Sequence, residues 1–215
     1  WFVKKISGLI NKRKKCLVLD LDNTLWGGVV GEDGVSGISV GDTYPGNAFM
    51  LFQENLIEAS KNGIILTVCS KNNQADIEEV WEKNPFVKLN KNHLSAYRIN
   101  WQNKAVNIAE MAAELNIGLD SFVFIDDNPA ERLLVKQTLP EVTVPDFPDE
   151  PYEMEMFFRK VMEDHFQIYS LTNEDKNKTR QYKENSNRKS AASAAVDMDS
   201  FLADLAMVLK VYEGN

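Results

Sequence analysis

Cys16-Leu17-Val18-Leu19-Asp20-Leu21-Asp22-Asn23-Thr24 is a short apolar run that ends in two acidic residues one position apart. The run follows the basic cluster Lys12-Arg13-Lys14-Lys15, and its length predicts a buried β-strand rather than a helix segment. In open α/β sheets, ligands collect at the carboxyl ends of the strands. Asp20 and Asp22 therefore belong at a crevice, and on extended backbone they point to the same side. Two carboxylates that close repel each other unless a cation lies between them. All-oxygen ligation suits magnesium, which keeps several waters and takes one or two protein carboxylates. Acidic pairs at strand ends are also ordinary turn residues, so this stretch alone leaves both readings open.

Two further apolar runs end in chemistry-bearing residues. Ile64-Ile65-Leu66-Thr67-Val68-Cys69 follows Asn62-Gly63 and delivers Ser70, Lys71 and Asn72, a hydroxyl, an ammonium and an amide together. Phe122-Val123-Phe124-Ile125 ends in Asp126-Asp127-Asn128-Pro129, a second acidic pair, which also serves as a turn closing the strand. Between them, Ile108, Met111, Ala112 and Leu115 repeat at helical spacing from Asn103 to Asn116, with Lys104 in the first turn. The macrodipole disfavours a cation at a helix N-terminus, so Lys104 invites a functional explanation beside that of a solvated surface lysine.

These four elements, in this order over residues 14 to 147, resemble the haloacid dehalogenase superfamily of phosphohydrolases and phosphotransferases. Within it, Asp20 to Gly34, Cys69-Ser70-Lys71-Asn72 and the run from Phe124 to Arg132 look like the FkbH-like branch. The resemblance implies that Asp20 is a nucleophile forming an aspartyl-phosphate and Asp22 the general acid and base beside it. It implies magnesium held by Asp20, the backbone carbonyl of Asp22 and Asp126, with Asp127 as alternative ligand. It implies that Ser70 donates to a phosphoryl oxygen and that Lys104 neutralises charge shared by Asp20 and the phosphate. Thr24, Trp26, Lys71, Asn72 and Asn128 are the substrate-binding candidates. Trp26 either lines the entrance or is an ordinary core tryptophan.

Gly27, Gly28, Gly31, Gly34, Gly37 and Gly41 punctuate the segment after Trp26, which suggests a small hairpin flap. Only 34 residues (104 − 70) separate Ser70 from Lys104, too few for a large cap domain. The expected architecture is α/β: a Rossmann-like parallel sheet flanked by helices, with the flap, no large cap and a helical C-terminal extension. Residues 1–13 read as an arm or linker, 14–148 as the phosphatase-like core, and 149–215 as a helical extension leading to a further domain. In that extension, Tyr152 to His165 reads as a helix, others follow from Thr172 and Asp197, and a strand begins at Val208. Both ends look cut, and the branch commonly carries further domains on either side, so additional domains of the same polypeptide are expected.

The chain has 215 residues, 44% of them apolar, enough for one α/β core with helical additions. No apolar stretch is long enough to span a membrane, and a net charge of −8 argues against general nucleic-acid binding. Two cysteines make no disulfide framework, in keeping with a cytoplasmic protein. Cys69, beside Ser70, is either a buried strand residue or an acyl-accepting thiol. Two function classes follow. One is a magnesium-dependent phosphatase acting on a small phosphorylated metabolite. The other is a glyceryl transferase that dephosphorylates 1,3-bisphosphoglycerate and loads the thiol of an acyl carrier protein. A non-catalytic binding module is disfavoured, because every catalytic residue type is present.

Overall fold

Alternation inside the buried runs sets the layering. Leu17 and Leu19 pack into one hydrophobic cluster and Cys16 and Val18 into another, so the first strand feeds two cores with its two faces. The computed structural model describes residues 13–166. In it, β1 (Cys16–Leu19), β2 (Ile65–Ser70), β3 (Ala96–Ile99) and β4 (Phe122–Ile125) form one sheet in the order β3-β2-β1-β4. Every pairing is parallel. All four residues of β1 are fully buried, as expected of a central strand covered on both faces. Full burial of a leucine or valine side chain is worth roughly 1.5–3 kcal/mol.

Six helices surround the sheet: α1 (Val30–Gly37), α2 (Gly46–Lys61), α3 (Gln74–Lys83), α4 (Lys104–Leu115), α5 (Pro129–Thr138) and α6 (Met154–His165). Phe52 and Leu56 of α2, Ile77 and Val80 of α3, and Phe158 and Val161 of α6 join Leu17 and Leu19. Ile108, Met111 and Leu115 of α4, with Val135 of α5, join Cys16 and Val18. The expected parallel sheet flanked by helices is what the chain forms. The stretch between Ser70 and Lys104 is taken up by α3, a 3-10 turn at Lys91–His93 and β3.

Two expectations need revision. The segment after Trp26 is a hairpin only at its base, where Gly27 and Ser39 exchange backbone hydrogen bonds of 3.0 and 2.7 Å. Its body is the helix α1, broken at Gly34, whose φ of 69° suits a glycine. Spaced glycines are shared by strand turns and broken helices, which is why the pattern misled. The boundary drawn at residue 148 also crosses a continuous core. α6 lies on α2, with the rings of Phe52 and Phe158 edge to face at 5.7 Å. The helices expected from Thr172 and Asp197, the strand at Val208 and residues 1–12 of the arm lie outside the described residues. No helix among the described residues is long and apolar enough to cross a membrane.

Candidate active site

Strand register assembles the site. Leu19 lies opposite Val68 on one side and Ile125 on the other, so the next residues, Asp20, Cys69 and Asp126, fall level at the carboxyl edge. The Asp20 amide donates to the Ile125 carbonyl at 3.0 Å and extends that alignment. α4 covers the same face, and Asn103 caps it by accepting from the Ala105 amide at 2.8 Å. Lys104, in its first turn, reaches both acids. Its Nζ donates to Asp126 Oδ2 at 2.6 Å and lies 3.0 Å from Asp20 Oδ1. The second contact is an ion pair without hydrogen-bond alignment, so Asp20 Oδ1 is a buried oxygen lacking a donor.

Carboxylate oxygens of Asp20, Asp126 and Asp127 lie within 4.8 Å of one another. Burial and then the charge of Asp20 push Asp126 up to about 6. An isolated ion pair would draw a carboxyl down, but here several carboxylates share one ammonium. Asp127 is raised for the same two reasons. Burial opposes the charge on Lys104, yet Asp20 and Asp126 outweigh it and hold the ammonium above its usual range. A cluster short of positive charge, with a donorless buried oxygen and oxygen ligands only, fits a hard divalent cation such as magnesium.

Asp22 is held by three donors. Its Oδ1 accepts from the Trp26 indole at 2.9 Å and the Val30 amide at 3.1 Å, and its Oδ2 from Asn72 at 2.9 Å. Asn72 also donates to Ser70 Oγ at 3.1 Å. With its oxygen accepting, the Ser70 hydroxyl keeps its own proton for another acceptor.

Other substrate-binding candidates have different tasks. Trp26 is fully buried, a core tryptophan whose indole positions Asp22 rather than lining the entrance. Thr24 is likewise enclosed and accepts from the Asp127 amide at 3.2 Å, fastening the β1 loop to the β4 loop. Lys71 pairs with Glu131 at 2.6 Å. Asn128 caps α5 by accepting from the Ala130 amide at 2.9 Å. Cys69 is buried with its Sγ against the Lys104 carbonyl, and burial pushes its thiol up to about 12. A protonated, enclosed thiol is a poor acyl acceptor, so that expectation fails on both accessibility and reactivity. Arg132, assigned no role from sequence, donates to the carbonyls of Asp126 and Asp127 and holds the acidic loop. Its position one turn into α5, after the capping Asn128, was the available signal.

Beside the acids, a cleft of about 430 Å³ runs between the flap base, α2 and the segment leading into α6. Asn23, Asp127, Phe49, Phe147 and Asp149 are among its walls.

No family model and no curated protein matches the chain. Among solved structures, it is similar to the N-terminal part of BF1531 from Bacteroides fragilis, which contains a phosphatase domain and is complexed with Mg. Identity is 44% over 79% of this chain and 45% of that one, with a TM-score of 0.73. The chain thus spans less than half of that relative's solved length. The HAD domain of the effector Lem4 from Legionella pneumophila shares the fold at 12% identity, over 72% of this chain and 95% of that one, with a TM-score of 0.51. The chain belongs to the haloacid dehalogenase (HAD) superfamily. In this HAD domain the acids of β1 and β4, the serine of β2 and the lysine of α4 meet at one sheet edge, as the sequence order implies.

Proposed function

We propose that this HAD domain is a magnesium-dependent phosphohydrolase of the FkbH-like branch, acting on a small phosphorylated metabolite through an aspartyl-phosphate on Asp20. The observation that carries the reading is the buried set Asp20, Lys104 and Asp126, in which one nucleophilic carboxylate is left with an undonated oxygen. Magnesium, when bound by Asp20, Asp126 and the Asp22 carbonyl, with Asp127 nearby, supplies positive charge for the carboxylates and the phosphoryl oxygens.

The chain's own groups divide the remaining work. Asp20 attacks phosphorus and the ester P–O bond breaks, while Asp22 passes a proton to the departing alcohol oxygen. Asp22 then takes a proton from water, whose oxygen attacks the same phosphorus and releases Asp20. Lys104 and the Ser70 hydroxyl face the charge that develops on the phosphoryl group. Trp26, Val30 and Asn72 hold the Asp22 carboxylate in place through both half-reactions.

The transferase reading, with an acyl carrier protein as partner, draws no support from Cys69, which is enclosed. Two buried free cysteines suit the reducing cytoplasm, where we place the protein. A screen of phosphorylated metabolites with magnesium tests the assignment when Asp20→Asn is run beside the native chain. The variant keeps the fold and loses turnover. Near-native hydrolysis by the variant overturns the role of Asp20.

A further inference from the structure

The cleft beside the acids begins at Asn23, the residue after Asp22, and has Asp127 of the acidic cluster in its wall. A group that receives a proton from Asp22 departs into it. Its volume of about 430 Å³ lies near the lower end of small-ligand sites, which span roughly 300–1,000 Å³. The walls are apolar and acidic: Phe49, Phe147 and Met154 line it together with Asp127 and Asp149, and no lysine, arginine or histidine does.

Basic groups of the surrounding elements are committed elsewhere. Lys104 is held between Asp20 and Asp126, Lys71 pairs with Glu131, Lys136 with Asp146, and Arg132 donates to backbone carbonyls of the acidic loop. A second phosphate or a carboxylate in the alcohol portion therefore meets two carboxylates and apolar walls with no cation to receive it. Binding sites for such anions rely on arginine or lysine.

Resting on the phosphohydrolase reading above, we infer that the cleft bounded by the flap base, Phe49, Phe147 and Asp149 is the leaving-group subsite, and that it selects phosphate monoesters of uncharged alcohols against bisphosphates and phosphorylated acids. The bond broken is the same ester P–O bond. The uncharged alcohol leaves into the cleft with the proton from Asp22.

Glycerol phosphate and phosphoglycerate differ chiefly in a hydroxymethyl group against a carboxylate, and they make the matched pair for the test. With magnesium, kcat/KM of the native chain for glycerol phosphate exceeds that for phosphoglycerate by at least about tenfold, the consequence of like charges brought together. Asp149→Lys reduces the ratio by at least about threefold, and Asp149→Asn moves it in the same direction by less. Equilibrium binding of the two esters to Asp20→Asn gives a second measure that needs no turnover. A ratio at or below unity overturns the inference, as does a ratio that Asp149→Lys leaves unchanged in a variant with a native-like melting transition. A preference seen in binding, with no hydrolysis of any ester by the native chain, upholds the subsite and sinks the phosphohydrolase reading. Failure of both esters to bind sinks both.

Discussion

Replacing Lys104 with methionine removes the ammonium between Asp20 and Asp126 while leaving a side chain of similar length in a site that is 3% exposed. Two carboxylates at 3.0 and 2.6 Å lose their counter-ion at once. Removing one partner of a buried ion pair costs roughly 3–5 kcal/mol. For a domain of this size each kcal/mol moves Tm by about 2–4 °C, so the variant melts roughly 6–20 °C below the native chain in chelator near neutral pH. The direction with pH follows from Asp126. Its carboxyl is already raised, to about 6, because burial and Asp20 outweigh Lys104. A carboxyl raised in the folded state binds protons more tightly there than in the unfolded chain. Its contribution to stability therefore falls as pH climbs from about 4 to about 6 and returns on acidification. Loss of Lys104 raises Asp126 further, so the deficit of the variant shrinks at about pH 5. Lys104, raised in the folded state, stabilises fully below its unfolded value near 10.4 and adds no slope of its own in this window. Added magnesium replaces the missing positive charge, and the Tm gain on adding it is larger for the variant than for the native chain. Thermal melts in chelator and in magnesium, at about pH 5 and about pH 8, check all three statements. A loss below about 1 kcal/mol near neutrality, or a deficit equal at both pH values, refutes the reasoning.

Asp126→Ala raises the magnesium concentration needed for half-maximal turnover more than Asp127→Ala does, because Asp126 is the fully buried acid already engaged with Lys104; titration of activity with magnesium decides, and the reverse order reassigns the ligand. Asn72→Ala removes the donors to Asp22 and Ser70. A hydrogen bond to a charged group is worth about 1.5–3 kcal/mol, so kcat falls roughly 10–150-fold, and an unchanged kcat shows that Asp22 is held without it. Neither Cys16 nor Cys69 reacts with a thiol reagent near neutral pH until the chain unfolds, since burial lifts both to about 12; rapid labelling of the native protein, read by intact mass, contradicts the enclosure described for them.

β1, β2 and β4 were legible because each is an uninterrupted apolar run, and Asp20, Ser70 and Asp126 followed from where those runs stop. β3 was not. Its central residues, Tyr97 and Arg98, are half-buried at the sheet edge, and Arg98 is accommodated only by Glu110 and Glu114 of α4. Lys104 was legible as an oddity of charge at a helix start, though not as a bridge between two strands. The duties of Trp26, Thr24 and Asn72 were hidden for another reason. Each donates to or accepts from a partner selected by the fold, and a sequence shows the functional group without its partner. Cys69 was the reverse case: proximity to Ser70 suggested reactivity, while strand alternation turned its thiol into the α4 layer.

The parallel order β3-β2-β1-β4 also fixes when this site can exist. β1 carries the nucleophile and leaves the ribosome before the other strands, yet it is the innermost strand, and parallel neighbours cannot pair with it by a tight turn. Leu17, Val18 and Leu19 stay without a covering sheet until residues 65–70 have been made, and one side of β1 stays open until residues 122–125 follow. A nascent chain stopped anywhere before Asp126 carries the aspartate of catalysis and none of the geometry that activates it. Phosphate-cleaving chemistry therefore arrives late in synthesis and all at once, together with the closure of the sheet.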